Sequence, residues 1–279
     1  MTGTDERVAR NDTETPDTIQ ARFGIEFLDE NPADAIAVMS MPMSGLRNPF
    51  TAAPSIGPLA ILVDAAGGMV NHYRRPPRHW TVSSELSFEL SVDDFDGFDD
   101  HDAPVVASAR PLGPVGATSL SICTLTRGEM LLGGATVRSF FIPAGDLIDD
   151  RPPDKLARTA QTSLSDLMAV RPRSPDDSLR VLEQRPDPNL YNDIGIVHGG
   201  VASAGLELAA SAAINQEPAD GLLRTASLRV NFLRPFIAGD KSRYVGTPLR
   251  VGRRTAVGDA QAVGDDGKVA ITARVTAYR

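Results

Sequence analysis

The stretch 192–211, NDIGIVHGGVASAGLELAAS, decides the reading of this chain. It opens on Asn192 and a turn containing Gly195, passes through His198, Gly199 and Gly200, and continues as small and apolar residues interrupted by Glu207. Apolar character on most sides predicts a buried helix that starts at the glycine pair and ends near Asn215 to Pro218. A carboxylate inside such a helix is costly unless it has partners, so Glu207 marks a position with a task.

The same pattern occurs earlier. Residues 57–67, GPLAILVDAAG, align without a gap on residues 200–210, GVASAGLELAA, and Asp64 falls on Glu207. Each acid lies seven residues after a glycine. Residues 81–88, TVSSELSF, then align on 225–232, TASLRVNF, with the offset moving from 143 to 144 and Thr81 falling on Thr225. A helix-like and a strand-like segment recurring in one order at nearly one spacing imply duplication. In the strand-like segment Val82, Leu86, Phe88, Leu90 and Val92 alternate with Thr81, Ser83, Glu85, Ser87 and Glu89, which predicts an antiparallel strand with one wet face. Further strands are expected at 24–41, 105–111, 118–125 and 131–142, and in the second half at 179–185, 244–251, 256–263 and 268–278. GDDG at 264–267 predicts a hairpin turn. The organisation expected is a loose tail over 1–18, a first domain over 19–142, a proline-rich and charged linker over 143–177 containing a possible short helix in LARTAQTSLSDLM, and a second domain over 178–279.

Composition narrows the classes. With 279 residues, 42% hydrophobic and 23% charged, the chain has enough apolar material for two packed domains. A formal charge of -8 argues against nucleic acid or an anionic membrane as partner. No apolar run approaches the roughly 20 residues of a membrane-spanning helix, and the polar start lacks the apolar segment of a signal peptide, so a cytoplasmic location is expected. Cys123, alone in SLSICTL, reads as a buried hydrophobe rather than a nucleophile. FDGFDDHD near 95–102 lacks the spacing of a calcium loop and reads as an acidic hairpin tip. His72, His79 and His101 read as surface residues near loops.

Asn192, Gly195, His198, Gly199, Gly200 and Glu207, followed by TASLRVNFLRPF with its Leu-Arg-Pro ending, resemble the hotdog-fold acyl-CoA thioesterases, including the phenylacetyl-CoA type. The resemblance covers the second half. The first half joins it through GPLAILVDAAG and the strand from Trp80, with Ser55, Ile56 and Gly57 where the His-Gly-Gly would stand. It implies an α+β double hotdog: two curved antiparallel sheets, each wrapped round a central helix, joined as a pseudo-dimer. It further implies an acyl-CoA substrate, no cofactor or metal, and a homo-oligomer of the double unit.

Seven residues advance a helix by about 10 Å, too far for Gly200 and Glu207 of one helix to act on one atom. If the halves pair as hotdog dimers do, the start of one helix meets the middle of the other. One composite site then joins Gly199 and the open helix N-terminus, as oxyanion donors, to Asp64 as the acid. Thr81 is expected to hold that carboxylate or the water, with Asn192 and His198 shaping the loop and contacting the thioester or the lytic water, and Gly200 contacting substrate. The second site would set Glu207 and Thr225 against NPFTAAPSIGP, which lacks the motif, and is expected to be degenerate. Arg74 and Arg75, or Arg250, Arg253 and Arg254, are candidate cations for the CoA tail. A hotdog hydratase is disfavoured because Met69 and Ala212, not His, follow the acids by five residues; the absence of G-x-S-x-G disfavours a serine hydrolase. A hotdog that binds acyl-CoA without turnover is the alternative from another class.

Overall fold

The computed structural model describes residues 19–91, 103–143, 156, 158–159, 161–173, 179–216 and 221–279. The expected tail, the acidic hairpin tip with His101, and much of the expected linker lie outside them.

The first half runs α1 (Ile19–Phe23), β1 (Glu26–Asn31), β2 (Ile36–Met41), α2 (Leu59–Tyr73), β3 (His79–Leu90), β4 (Val105–Pro111), β5 (Thr118–Arg127) and β6 (Met130–Pro143). The second runs α3 (Leu164–Leu167), β7 (Val170–Arg173), β8 (Arg180–Gln184), α4 (Gly199–Ile214), β9 (Arg224–Phe232), β10 (Arg243–Val251), β11 (Thr255–Val263) and β12 (Val269–Tyr278). The strand expected over 24–41 is a hairpin instead. Asn31 Oδ1 accepts from the N–H groups of Ala33 and Asp34 at 3.1 and 3.2 Å, an Asx turn that reverses the chain ahead of Pro-free β2. β7 falls in the stretch read as a linker and pairs with β8. The GDDG turn closes β11 and β12 as expected, Gly267 supplying its φ of +77°.

All twelve strands form one antiparallel sheet in the order β1-β2-β4-β5-β6-β3-β9-β12-β11-β10-β8-β7. The halves are therefore more than docked, because β3 and β9 hydrogen-bond across the junction. There Leu86 faces Val230, the pair that the offset makes equivalent (86 + 144 = 230), so a pseudo-twofold axis passes between them. Each half of the sheet curls round its own helix. Leu59 to Val63 on α2 are wholly buried, as are most residues of α4. Helices apolar on all sides are stable only when enclosed, and each buried Leu or Val contributes roughly 1.5–3 kcal/mol.

The two helices lie side by side and opposed. A Cβ on Gly200 would sit 2.6 Å from Ile61 Cα, and one on Gly57 would sit 2.8 Å from Glu207 Oε2. Only hydrogen at both positions permits so close a crossing. It is this contact that brings the start of each helix to the acid of the other. No described helix is long and apolar enough to cross a membrane.

Candidate active site

The loop before α4 is a tight turn. Asn192 Oδ1 accepts from the N–H groups of Ile194 and Ile196 at 3.3 and 3.0 Å, and Gly195 takes a φ of +73°. Asn192 lines the cavity described below, and its amide nitrogen has no protein acceptor among the described residues. His198 caps α4, its Nδ1 accepting from the Gly200 N–H at 3.2 Å. A neutral His198 in that arrangement carries its proton on Nε2. The first intrahelical bond runs from Ala202 N–H to His198 O. The Gly199 N–H is left without an intramolecular acceptor among the described residues, at the positive end of a 16-residue helix.

Asp64 reaches this helix end from α2. It is 7% exposed, and its Oδ2 accepts from the Gly200 N–H at 2.6 Å. A Cβ on Gly199 would lie 2.8 Å from the same oxygen and 3.3 Å from the Phe232 ring, so glycine at 199 is what lets the acid approach. Gly200, expected to contact substrate, instead holds the acid.

The other carboxylate oxygen meets a hydroxyl other than that of Thr81. Asp64 Oδ1 accepts from Ser83 Oγ at 2.9 Å, whereas the Thr81 hydroxyl meets His72 Nδ1 at 3.2 Å. Simple alternation puts Thr81 and Ser83 on the wet face. A bulge between Ser83 and Glu85 in the pairing of β3 with β6 inserts one residue and turns both inward, onto the face of Leu86. In β9 the corresponding irregularity lies between Ser227 and Thr225, so there Thr225 meets the acid, donating to Glu207 Oε1 at 2.7 Å. Moving a bulge by two residues changes which hydroxyl serves the carboxylate. His72, read from the sequence as a surface residue, is 5% exposed and meets Trp80 edge-on at 5.1 Å between ring centres. His79 remains near the surface loop, with its Nδ1 beside Pro77 O.

Asp64, Ser83, Thr81, His72, Asn192, His198 and Gly199 line one cavity of about 290 Å³. Val82, Phe140, Ile142, Phe232 and Ile271 supply apolar wall, and Leu233, Arg234 and Pro235 form its exposed lip. Arg234 is the cation placed here. Arg74 and Arg75 are elsewhere: Arg74 donates to Ser119 Oγ and Gly113 O, and Arg75 to His72 O, contacts that brace the end of α2. Cys123 is buried and its thiol is pushed up to about 12, first by burial and then by the charge of Asp64, which keeps it a protonated packing residue.

Glu207 and Thr225 occupy a separate cavity of about 320 Å³ with Asn48, Ser55, Ile56 and Ser211. Burial pushes the Glu207 carboxyl upward, against the pull of hydrogen bonds from Thr225, Ser211, Ser55 and the Gly57 N–H. The helix opposite starts differently. Pro58 precedes α2, and the N–H groups of Leu59, Ala60 and Ile61 turn back to the carbonyls of Ile56, Gly57 and Pro58. Ile56 stands where the 143-residue offset puts Gly199 (199 − 143 = 56). This half has an acid, a hydroxyl, a cavity and, in Gly57, a glycine beside the acid, but it has Ile56 in place of Gly199 and a first turn closed on itself.

The fold and the paired acids define a double-hotdog protein with one open helix end. Residues 194–271 match the model of the thioesterase superfamily. No curated protein matches the chain. A TesB protein of Mycobacterium avium subsp. paratuberculosis superposes with a TM-score of 0.60 at 13% identity, covering 93% of this chain and 97% of that one. An acyl-CoA thioesterase II of Mycobacterium marinum gives 0.55 at 13% identity over the same shares. The 12:0-ACP thioesterase of Umbellularia californica gives 0.57 at 10%, covering 87% of this chain and 94% of that one. At these identities the likeness establishes the double-hotdog fold.

Proposed function

We propose that the chain hydrolyses acyl-CoA thioesters at Asp64. The observation that carries this reading is a buried carboxylate from the first half, held 2.6 Å from the Gly200 N–H of the second, beside the uncommitted Gly199 N–H and inside a largely apolar cavity. The thioesterase-superfamily match over 194–271 supports the same chemistry.

In this mechanism the thioester oxygen accepts from the Gly199 N–H and the Asn192 amide, where the helix N-terminus stabilises developing negative charge. A water beside the Asp64 carboxylate on its cavity side gives its proton to Asp64 as its oxygen adds to the carbonyl carbon. Collapse of the tetrahedral adduct breaks the carbon–sulfur bond, and Asp64 returns the proton to the departing thiolate. The products are the free acid and CoA. Direct attack by Asp64 is the weaker route, because both its oxygens already accept hydrogen bonds, which lowers their nucleophilicity. The Glu207 cavity is silent in this scheme, since Ile56 stands where Gly199 would and its side chain takes the place of an open approach to the helix start.

The test is thiol release from a panel of acyl-CoAs of increasing chain length, with phenylacetyl-CoA included. Turnover that depends on Asp64 supports the proposal. Calorimetric binding with no thiol released would overturn it in favour of an acyl-CoA-binding protein.

A further inference from the structure

The cavity continues past the acid. Asp64, Gly68 and His72 follow one another at four-residue steps on α2 and all line it, so one face of that helix is its floor. Opposite them, Ser83 and Thr81 are two residues apart on β3, about 7 Å. Ser83 marks the reacting end through its bond to Asp64. Thr81 marks the other end through its bond to His72. At that far end His72 is 5% exposed and Ser139 wholly buried, while Phe140, which lines the cavity beside them, is 40% exposed. The opposite end opens at Leu233, which is 57% exposed, beside exposed Arg234 and Pro235. A substrate entering there meets Gly199 and Asp64 first, then the backbone of Gly68, then the Thr81–His72 pair.

An acyl pocket for plain hydrocarbon has no use for a hydroxyl at its far end, where an unanswered polar group costs binding. Thr81 keeps hydrogen-bonding capacity in either tautomer of His72. If its O–H donates to Nδ1, its lone pairs can still accept; if Nδ1–H donates to it, its O–H is available. The mirrored cavity lacks the feature. There the counterpart of His72 is Asn215 (72 + 143 = 215), whose amide is committed to Ser211 O and to the backbone of Leu223.

Resting on the hydrolase reading above, we propose that the Thr81 end of the cavity recognises an oxygen at the tip of the acyl group, with Thr81 as the specificity-determining residue and His72 holding it. A zigzag chain of ~1.5 Å bonds advances about 1.25 Å per carbon, so the ~7 Å between the two hydroxyls suits an acyl group of about six carbons ending in a hydroxyl or carbonyl.

The experiment compares kcat/KM for 6-hydroxyhexanoyl-CoA and hexanoyl-CoA. The native enzyme is expected to favour the hydroxylated thioester by about tenfold, the order of one buried neutral hydrogen bond. Thr81→Val brings the ratio to about one, and Thr81→Ser restores most of it. A native ratio of one, a ratio that survives Thr81→Val, or a parallel fall for both substrates overturns the proposal; the last would put Thr81 against the pantetheine arm. If neither these two thioesters nor any acyl-CoA of the panel releases thiol, the hydrolase reading fails by itself. Calorimetric affinities of the same two thioesters then judge the tip: about tenfold tighter binding of the hydroxylated one supports it, and equal affinity removes it.

Discussion

Replacing Asp64 with Asn changes the charge of the site while keeping its shape. The side chain is 7% exposed and its two oxygens accept from the Gly200 N–H at 2.6 Å and from Ser83 Oγ at 2.9 Å. The Gly200 N–H cannot turn away, so the Asn carbonyl must face it, and the amide then faces Ser83, whose hydroxyl rotates to accept. Two charge-assisted bonds become neutral ones, a loss of about 1 kcal/mol each, partly offset because no buried charge must be desolvated. For a chain of this size 1 kcal/mol moves Tm by roughly 2–4 °C, so Asp64→Asn should melt within about 4 °C of the native protein. Losing the proton acceptor removes about 10²–10⁴ in rate, some 3–5 kcal/mol of barrier. The expected result is a kcat for thiol release reduced about a thousandfold in a protein with an unchanged circular dichroism spectrum. A folded Asp64→Asn retaining more than about a tenth of native kcat would refute the assignment. So would a larger loss in Glu207→Gln, which would move the working site to the other half.

Gly199→Ala should cost about a hundredfold in kcat/KM and lower Tm, because its methyl would lie 2.8 Å from the buried Asp64 Oδ2; a fully active Gly199→Ala would show that the acid does not work from this position. Glu207 carries a stability signature. Its folded carboxyl is raised above 4.5 by burial, so the folded state holds that proton more tightly than the unfolded chain. The associated stability is whole below pH 4.5 and is lost as pH rises through the folded value. Thermal melts should therefore show the Tm of Glu207→Gln, relative to native, rising between pH 4 and pH 7; a constant difference would count against a raised value. Arg234→Glu should increase KM for acyl-CoA by roughly three- to tenfold at low salt, and leave KM for an N-acetylcysteamine thioester, which has no nucleotide, unmoved. Equal effects on both would remove Arg234 from contact with the nucleotide.

Much of the site was legible because it is written in short-range spacing. A glycine seven residues before an acid, repeated at 143 residues, needs no tertiary knowledge to be seen, and the buried helices follow from their apolar surface. Ser83 was missed because its orientation depends on a bulge in the pairing of β3 with β6, and alternation along one strand carries no trace of it. His72 was missed because four neighbours in sequence, Arg74, Arg75, Pro76 and Pro77, suggest a surface loop, whereas its own ring turns back against Trp80 and Thr81. The guanidinium of Arg74 is committed to Ser119 and Gly113, residues that no local pattern associates with it.

The sequence by itself determined the duplication, the two buried helices, and which half offers an open glycine-led helix start, since each depends on residue type and local spacing. Tertiary structure decided what reaches that start: Gly200 rather than Thr81 grips Asp64, Ser83 completes the grip, and a single twelve-stranded sheet locks the halves in register. The physical reason is distance. A helix puts its own acid about 10 Å from its N-terminus, so the site exists only where two distant segments cross, and the details of a crossing are fixed by bulges and by glycines that no single segment reveals.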